Sequence, residues 1–288
     1  TLYNMVNYRK HLSITRERRD IMPVDYHLHS QFSGDSKTTL DAICSAAIAR
    51  GLKEIAITDH MDYSYPDIHP DHQIADIDHY INTIAQYQQK YAGQLTIRTG
   101  IEIGMEPHHL EACDRFLQQY PFDFVIGSIH ECQGLPASKA VFFEHRTKAQ
   151  AYETYYSTIL ECIQHFDNFD VIGHLDYCKR YYPGDYMPGD HLIAQPLIEE
   201  ILRTLIAKGK GIEVNTSGFR HTSHMCMPHY DILALYRQLG GTRITIGSDS
   251  HRDEFVGFHA DDAAAQLKQL GFTHISTFEK RVEIPVLL

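Results

Sequence analysis

Asp25-Tyr26-His27-Leu28-His29 is a short run that ends in a His-x-His pair and is followed, six residues on, by Asp35. Side chains alternate across a β-strand, so an extended run sends His27 and His29 to one face and Tyr26 and Leu28 to the other. Two imidazoles on one face can grip one metal ion. A lone His-x-His pair is more often solvated or satisfied in a core, so the reading turns on whether other strands deliver matching ligands.

Seven short runs rich in Val, Ile and other apolar residues alternate with longer stretches of helical period. They cover residues 23–29, 53–60, 95–103, 122–130, 169–174, 211–215 and 243–247. Strand-then-helix repetition predicts a parallel sheet, covered on both faces or closed into a barrel. Between the strands, Thr38-Thr39-Leu40-Asp41 resembles a capping box that opens a helix running to Gly51. Helical spacing recurs over 74–91, from Pro107 through Leu117, and over 147–166, 193–208, 228–239 and 260–270.

The strand ends carry the chemistry. The first run delivers His27 and His29, the second ends Thr58-Asp59-His60, and the third ends Gly100-Ile101-Glu102. The fourth ends Ser128-Ile129-His130, the fifth Gly173-His174, and the seventh Gly247-Ser248-Asp249-Ser250-His251. After any one strand, a His or Asp is often only a turn former. Six strands of seven ending this way point to a metal centre, because a parallel barrel opens all its C-terminal strand ends onto one mouth. Nine candidate ligands exceed the needs of one tetrahedral zinc, so two or three ions are expected.

Composition narrows the class. Twenty of 288 residues are His, and the net charge of −11 argues against a nucleic-acid surface, which needs clustered Lys and Arg. Six scattered cysteines form no Cys-x-x-Cys pair, so neither a zinc ribbon nor a disulfide framework is indicated. No apolar run approaches membrane-spanning length, and a cytoplasmic location is expected. Residues 1–21 are read as an N-terminal extension outside the fold, and residues 22–288 as a single barrel domain. No motif indicates an oligomeric state.

The blocks Asp25–Ser36, Thr58–His60, Gly100–Glu102, Ser128–His130, Gly173–Asp176, Glu213–Gly218 and Gly247–His251 together resemble the polymerase-and-histidinol-phosphatase (PHP) superfamily. Within it they are most similar to the histidinol-phosphate phosphatase branch, and the resemblance spans roughly residues 22–260. It implies a distorted seven-stranded (β/α)7 barrel of the α/β class with three divalent ions, zinc, iron or manganese, at the C-terminal strand ends. His27, His29, Glu102 and Asp249 would hold the first ion, Glu102 would bridge to a second on His130 and His174, and Asp35, His60 and His251 would hold the third. Glu102 and Asp249 would thereby serve catalysis by holding the ions that activate a bridging water.

Three divalent ions against Asp35, Glu102, Asp249 and a bridging hydroxide leave the site near roughly +2, which suits a phosphate monoester dianion. The resemblance further implies hydrolysis of L-histidinol phosphate to L-histidinol and phosphate, by attack of that hydroxide on phosphorus, in histidine biosynthesis. Arg180 and Arg220, in loops after the fifth and sixth strands, are the expected phosphate or substrate contacts. Asp59 and Asp176 are expected to orient neighbouring ligands. The loops 63–78 and 177–190 gather Tyr63, Tyr65, His69, His72, Tyr181, Tyr182 and Tyr186, which could face an imidazole or ammonium or simply pack the loops.

Other routes fare worse. Asp76-Ile-Asp78 lies in a helix-period stretch without a preceding apolar strand, and no nucleophile elbow, Walker loop or Cys-x5-Arg loop is present. A PHP-type exonuclease or nucleotide phosphoesterase would need a basic or stacking groove, which the charge disfavours. A tyrosine phosphatase of the same superfamily and a non-catalytic metal-binding module are the remaining alternatives.

Overall fold

Seven parallel strands hydrogen-bond in chain order in the computed structural model: β1 (Val24–Leu28), β2 (Glu54–Ile57), β3 (Thr96–Gly104), β4 (Phe124–Ser128), β5 (Val171–Ile172), β6 (Gly211–Asn215) and β7 (Ile244–Gly247). The structure describes residues 24–63, 73–184, 187, 189–221 and 224–288. The expected N-terminal extension, residues 1–21, lies outside the described residues, as do Tyr65, His69, His72 and Tyr186 of the aromatic loops. The ends of the ladder meet where the His29 N–H donates to the Ser250 carbonyl at 2.9 Å and Leu28 bridges Ser250. The result is a nearly closed barrel with an α/β alternation, as the strand-helix pattern predicts.

Helices α1 (Leu40–Ala49), α2 (Ile77–Lys90), α3 (Leu110–Gln119), α4 (Lys148–His165), α5 (Gln195–Ala207), α6 (Tyr230–Gln238) and α7 (Ala260–Gln269) connect the strands. Their starts follow the caps. Thr39 accepts from the Ala42 N–H, Thr147 and Gln150 form a reciprocal capping box, and Asp76 accepts from the His79 N–H. The Asp76 cap starts α2 three residues after the apolar period begins at Ile74, because an acceptor for the first-turn N–H groups fixes the boundary. Pro196 sits in the first turn of α5, where its missing N–H costs nothing.

The first strand departs from simple alternation. Its pairs with β2 run Val24↔Glu54, Asp25↔Ile55 and Leu28↔Ile57, so three steps on β1 oppose two on β2. Such a bulge lets consecutive side chains share a face. Tyr26 accordingly meets Phe124 edge-to-face at 5.1 Å between ring centroids, although β2 and β3 separate their strands in the ladder. That contact crosses the barrel interior, below His27.

The floor of the barrel is closed by an element the sequence pattern does not announce. β8 (His274–Glu279) and β9 (Val282–Leu287) form an antiparallel hairpin after the last helix. Phe278 of this hairpin is fully buried and stacks on Phe124 at 5.0 Å. Beside it the Arg98 guanidinium joins Glu54 at 2.8 Å and Glu279 at 2.9 Å, while the Tyr26 hydroxyl bonds Glu54. The two-residue turn places Lys280 and Arg281 at φ 50° and 68°. Those values define a type I′ turn, which normally calls for Asn-Gly or Asp-Gly. Tertiary bonds hold it instead: Lys280 N–H and Arg281 N–H donate to the side chain and carbonyl of Asp123, and the Arg281 Nε to Asp170 at 2.6 Å.

Replacing Phe278 by Ala removes the ring that closes this floor. It should cost about 3–5 kcal/mol of unfolding free energy, the usual range for a buried Phe. Urea denaturation measures it, and a loss under about 1 kcal/mol would mean the hairpin is not packed as described.

Candidate metal centre

The interior positions of the seven strands carry two different chemistries along the barrel axis. On β4, Phe124 faces the floor while Ser128, four residues on, donates to Glu102 at 2.7 Å. On β3, Arg98 lies at the floor and Glu102 at the mouth. Gly247 of β7 is needed at the mouth for space: a Cβ there would come within 2.4 Å of both the Glu213 carboxylate and the His27 Cβ.

All nine residues singled out as ligands lie at this mouth. His27 Nε2 is 3.2 Å and His29 Nε2 3.4 Å from Glu102 Oε2, and Asp249 Oδ1 is 3.9 Å and 3.5 Å from the same two nitrogens. His130 Nε2 and His174 Nε2 stand 3.3 Å and 2.9 Å from Glu102 Oε1. His251 Nε2 lies 3.0 Å from Asp35, and His60 spans the two groups, 3.6 Å from Asp35 and 2.9 Å from Glu102. Bonds of about 2.0–2.1 Å at tetrahedral angles set ligand atoms about 3.4 Å apart, which is the spacing found here. Although buried, His27 Nε2, His29 Nε2 and Glu102 Oε2 make no hydrogen bond. Orphaned polar atoms that converge on one point fit a cation between them.

The outward ring nitrogens are fixed by acceptors. His27 Nδ1 donates to Glu213 at 2.6 Å and His130 Nδ1 to Asp62 at 3.0 Å, so each ring is turned with its Nε2 toward the mouth. His29 Nδ1 lies 3.1 Å from Ser33 Oγ, and that hydroxyl donates to Asp59 at 2.7 Å. Asp59, expected in sequence to orient a neighbouring ligand, thus reaches His29 only through the Ser33 hydroxyl. Asp176, of which the same was expected, instead pairs with Lys179 at 2.5 Å and accepts from the His229 N–H.

Glu213, Asp62, Ser33 and Asn215 had no assigned role in the sequence reading. Glu213 accepts from His27, from the His174 backbone N–H at 2.8 Å and from Asn215 Nδ2 at 3.1 Å. A fully buried Glu inside the apolar run Gly211–Asn215 is the signal that could have marked it.

Electrostatics match the geometry. Burial alone would raise the Glu102 carboxyl, but His27, His60 and His130 around it hold it well below the ordinary range. Burial opposes Asp249 in the same way, and His27, His29 and His251 hold it low. Burial drives His29 well down, helped by His251 and His60, so its imidazole is neutral and its lone pair available. His60 goes the other way: Glu102 and Asp35 outweigh its burial and raise it to about 10.

The mouth opens into a cavity of about 510 Å³ lined by Arg180, Arg220, His221, Tyr177 and Tyr181 as well as ligand residues. Arg180 Nη1 approaches Ser217 at 3.4 Å, and its Nε–H makes no hydrogen bond. Arg220 donates to the Ser248 and Asp249 carbonyls at 2.9 Å and 2.8 Å, which pins Asp249 at φ 51°. His221, another residue without a sequence-level role, is pulled down to about 4 by burial and by Arg180 and Arg220, and is neutral at pH 7.

Fold and site thus define a nearly closed parallel (β/α) barrel whose mouth gathers several His and carboxylate groups able to hold metal ions. The PHP domain model matches residues 25–217, and the chain belongs to the PHP domain family. It is 32% identical over 258 residues to the histidinol-phosphatase of Lactococcus lactis, covering 88% of this chain and 94% of that protein. A Clostridium acetobutylicum protein named "Probable histidinol-phosphatase" is 30% identical over 91% of this chain and 98% of its own length. A crystal structure of the Lactococcus lactis histidinol phosphate phosphatase, complexed with zinc, L-histidinol and phosphate, superposes with a TM-score of 0.82 at 31% identity. The match covers 92% of this chain and 99% of that one. No helix among the described residues is long and apolar enough to cross a membrane.

Glu213→Gln tests the outward bracing. The amide can accept from only one of His27 Nδ1–H and the His174 N–H, and its NH2 then opposes the other donor. Zinc affinity measured against a competing chelator should fall about 10- to 100-fold. Unchanged affinity would remove Glu213 from the site.

Proposed function

We propose that the protein is a metal-dependent phosphomonoesterase that hydrolyses L-histidinol phosphate to L-histidinol and phosphate. The observation that carries this reading is the nine-residue His and carboxylate mouth on a barrel 31% identical to a phosphatase crystallised with zinc, L-histidinol and phosphate. In this reading His27, His29, Glu102 and Asp249 hold one ion, Glu102 with His130 and His174 a second, and Asp35, His60 and His251 a third. The ions are zinc, iron or manganese, since imidazole and carboxylate donors suit all of them. When bound, they activate water for attack on phosphorus and offset phosphoryl charge. Residues 22–288 act as one barrel domain.

The protein's own groups supply binding and orientation. Arg180 lines the cavity with its Nη1 only loosely held, 3.4 Å from Ser217 and 3.9 Å from Asp249, so its terminal N–H groups are available for a phosphate oxygen. Arg220 spends one N–H of each terminal nitrogen on a backbone carbonyl, leaves the others for the ligand, and is backed by the rings of Phe255 and Phe258 at 4.8 Å and 5.7 Å. Neutral His221 adds no charge between the two arginines, where an imidazolium would repel both. Tyr177, its ring tilted against that of His174 at 4.7 Å between centroids, packs on that imidazole and lines the cavity.

Phosphate release from L-histidinol phosphate, run beside p-nitrophenyl phosphate and a short DNA strand, tests the reading with zinc-loaded and chelator-stripped protein. Selective hydrolysis that disappears with the metal is expected. Preference for another ester by about a hundredfold in kcat/KM, about 2.7 kcal/mol, would overturn the substrate assignment. The arginines separate by a second measurement. A charged hydrogen bond contributes about 1.5–3 kcal/mol, so Arg180→Ala should lower kcat/KM about 10- to 150-fold with full metal content. Arg220→Ala should lower kcat/KM and also release metal, because the Asp249 backbone loses its clamp. Full metal retention in Arg220→Ala would confine that residue to substrate contact.

A further inference from the structure

A second group of metal-capable side chains lies outside the mouth, at the turn between β3 and α3. Glu106, His108 and His109 each offer a ligand atom, and the three atoms lie within 4.8 Å of one another. Glu106 is 4% exposed, and its Oε1 accepts from the Gly134 N–H at 3.3 Å. Its Oε2 accepts no hydrogen bond and has His108 Nε2 3.2 Å away. A buried carboxylate oxygen without a hydrogen bond is costly unless a positive group sits against it. The His109 N–H donates to the Glu106 carbonyl at 2.9 Å, which closes the turn and brings both imidazoles to the same side, 4.1 Å apart between ring centroids.

The surroundings favour a cation. A cavity of about 390 Å³ opens from Glu106 and His108 onto one face of α4, where Glu153 and Glu161 add two carboxylates, and among the described residues no Lys or Arg lines it. None of its lining residues belongs to the 510 Å³ cavity at the mouth. The positive end of α3 opposes a cation by about half a unit charge. The full charge on buried Glu106 exceeds that, and Glu111 in the first turn of α3 adds to it.

We propose that Glu106, His108 and His109 form a peripheral divalent-cation site, distinct from the mouth, that takes a transition-metal ion such as zinc. Two imidazoles with one carboxylate are a borderline donor set, suited to zinc or cobalt and poorly suited to calcium or magnesium. Three protein ligands leave a fourth position open to water on the cavity side. Occupancy ties the β3–α3 turn to the segment around Gly134 through Glu106, and the inference does not depend on the identity of the substrate.

The test is zinc content per chain at a fixed, buffered free-zinc concentration, measured by mass spectrometry on wild type, His108→Ala and His109→Ala. Each variant should hold one zinc fewer than wild type, with its turnover of p-nitrophenyl phosphate and its thermal midpoint in excess chelator unchanged. Both substituted side chains lie outside the core, so the fold is retained. Equal zinc content in all three proteins over the full free-zinc range would overturn the site and leave His108 and Glu106 as an ion pair only. Loss of zinc together with turnover would also overturn it, since the missing ion would then belong to the mouth.

Discussion

Glu102 sets the terms for the rest of the molecule. Its carboxylate is fully buried at the centre of the mouth, where an isolated charge would cost several kcal/mol in desolvation. Five imidazoles, from His27, His29, His60, His130 and His174, approach its two oxygens within 2.9–3.4 Å. Imidazoles alone repel one another once protonated, which is why burial, His251 and His60 keep His29 neutral. The arrangement therefore makes electrostatic sense around cations other than protons, and Glu213, Asp62 and Ser33 hold the rings ready for them from outside.

A barrel can carry such a mouth only if its other half supplies the stability. Here the division falls along the axis: Tyr26, Phe124 and Phe278 fill the floor, and the candidate ligands begin one step above. The bulge in β1 makes the division sharp, because it puts aromatic Tyr26 and ligand His27 on the same interior face in succession. Without it, one of the two would point at the surrounding helices.

This also marks where the sequence could and could not be read. The seven apolar runs and most of the nine candidate ligands are local patterns, six of the strand ends carrying His, Asp or Glu, and the barrel brings these side chains together as the pattern predicts. The bulge is invisible because nothing in Asp25–His29 distinguishes two consecutive interior residues from alternating ones. The β8–β9 hairpin is invisible for a related reason. Lys280 and Arg281 take the left-handed conformation that Asn-Gly would advertise, and they are held there by Asp123 and Asp170, more than a hundred residues away in the chain. Glu213 stands in a recognisable block and Asp62 in none, but only their buried contacts with His27 and His130 give either of them a role. Asp176 shows the opposite error, a carboxylate beside a ligand in sequence whose partner is Lys179.

The net charge of −11 bears on how such a site meets an anion. Charges on the outer surface are screened beyond about 8 Å at physiological ionic strength, so they act weakly on a ligand already inside the mouth. There the cavity wall includes Arg180 and Arg220, the second clamped to the backbone of Asp249. Because Arg220 touches both that backbone and the cavity, a movement that improved its grip on a phosphoryl oxygen would loosen Asp249 at φ 51°. Arg220 thus reaches the Asp249 backbone and Arg180 its carboxylate, at 3.9 Å, so both guanidiniums would couple anion binding to the geometry of Asp249. Under the proposed function the two would divide the labour by how they are held: Arg220, clamped to the backbone, would fix where phosphorus sits relative to Asp249, and Arg180, held only by side chains, would accommodate the rest of the ester.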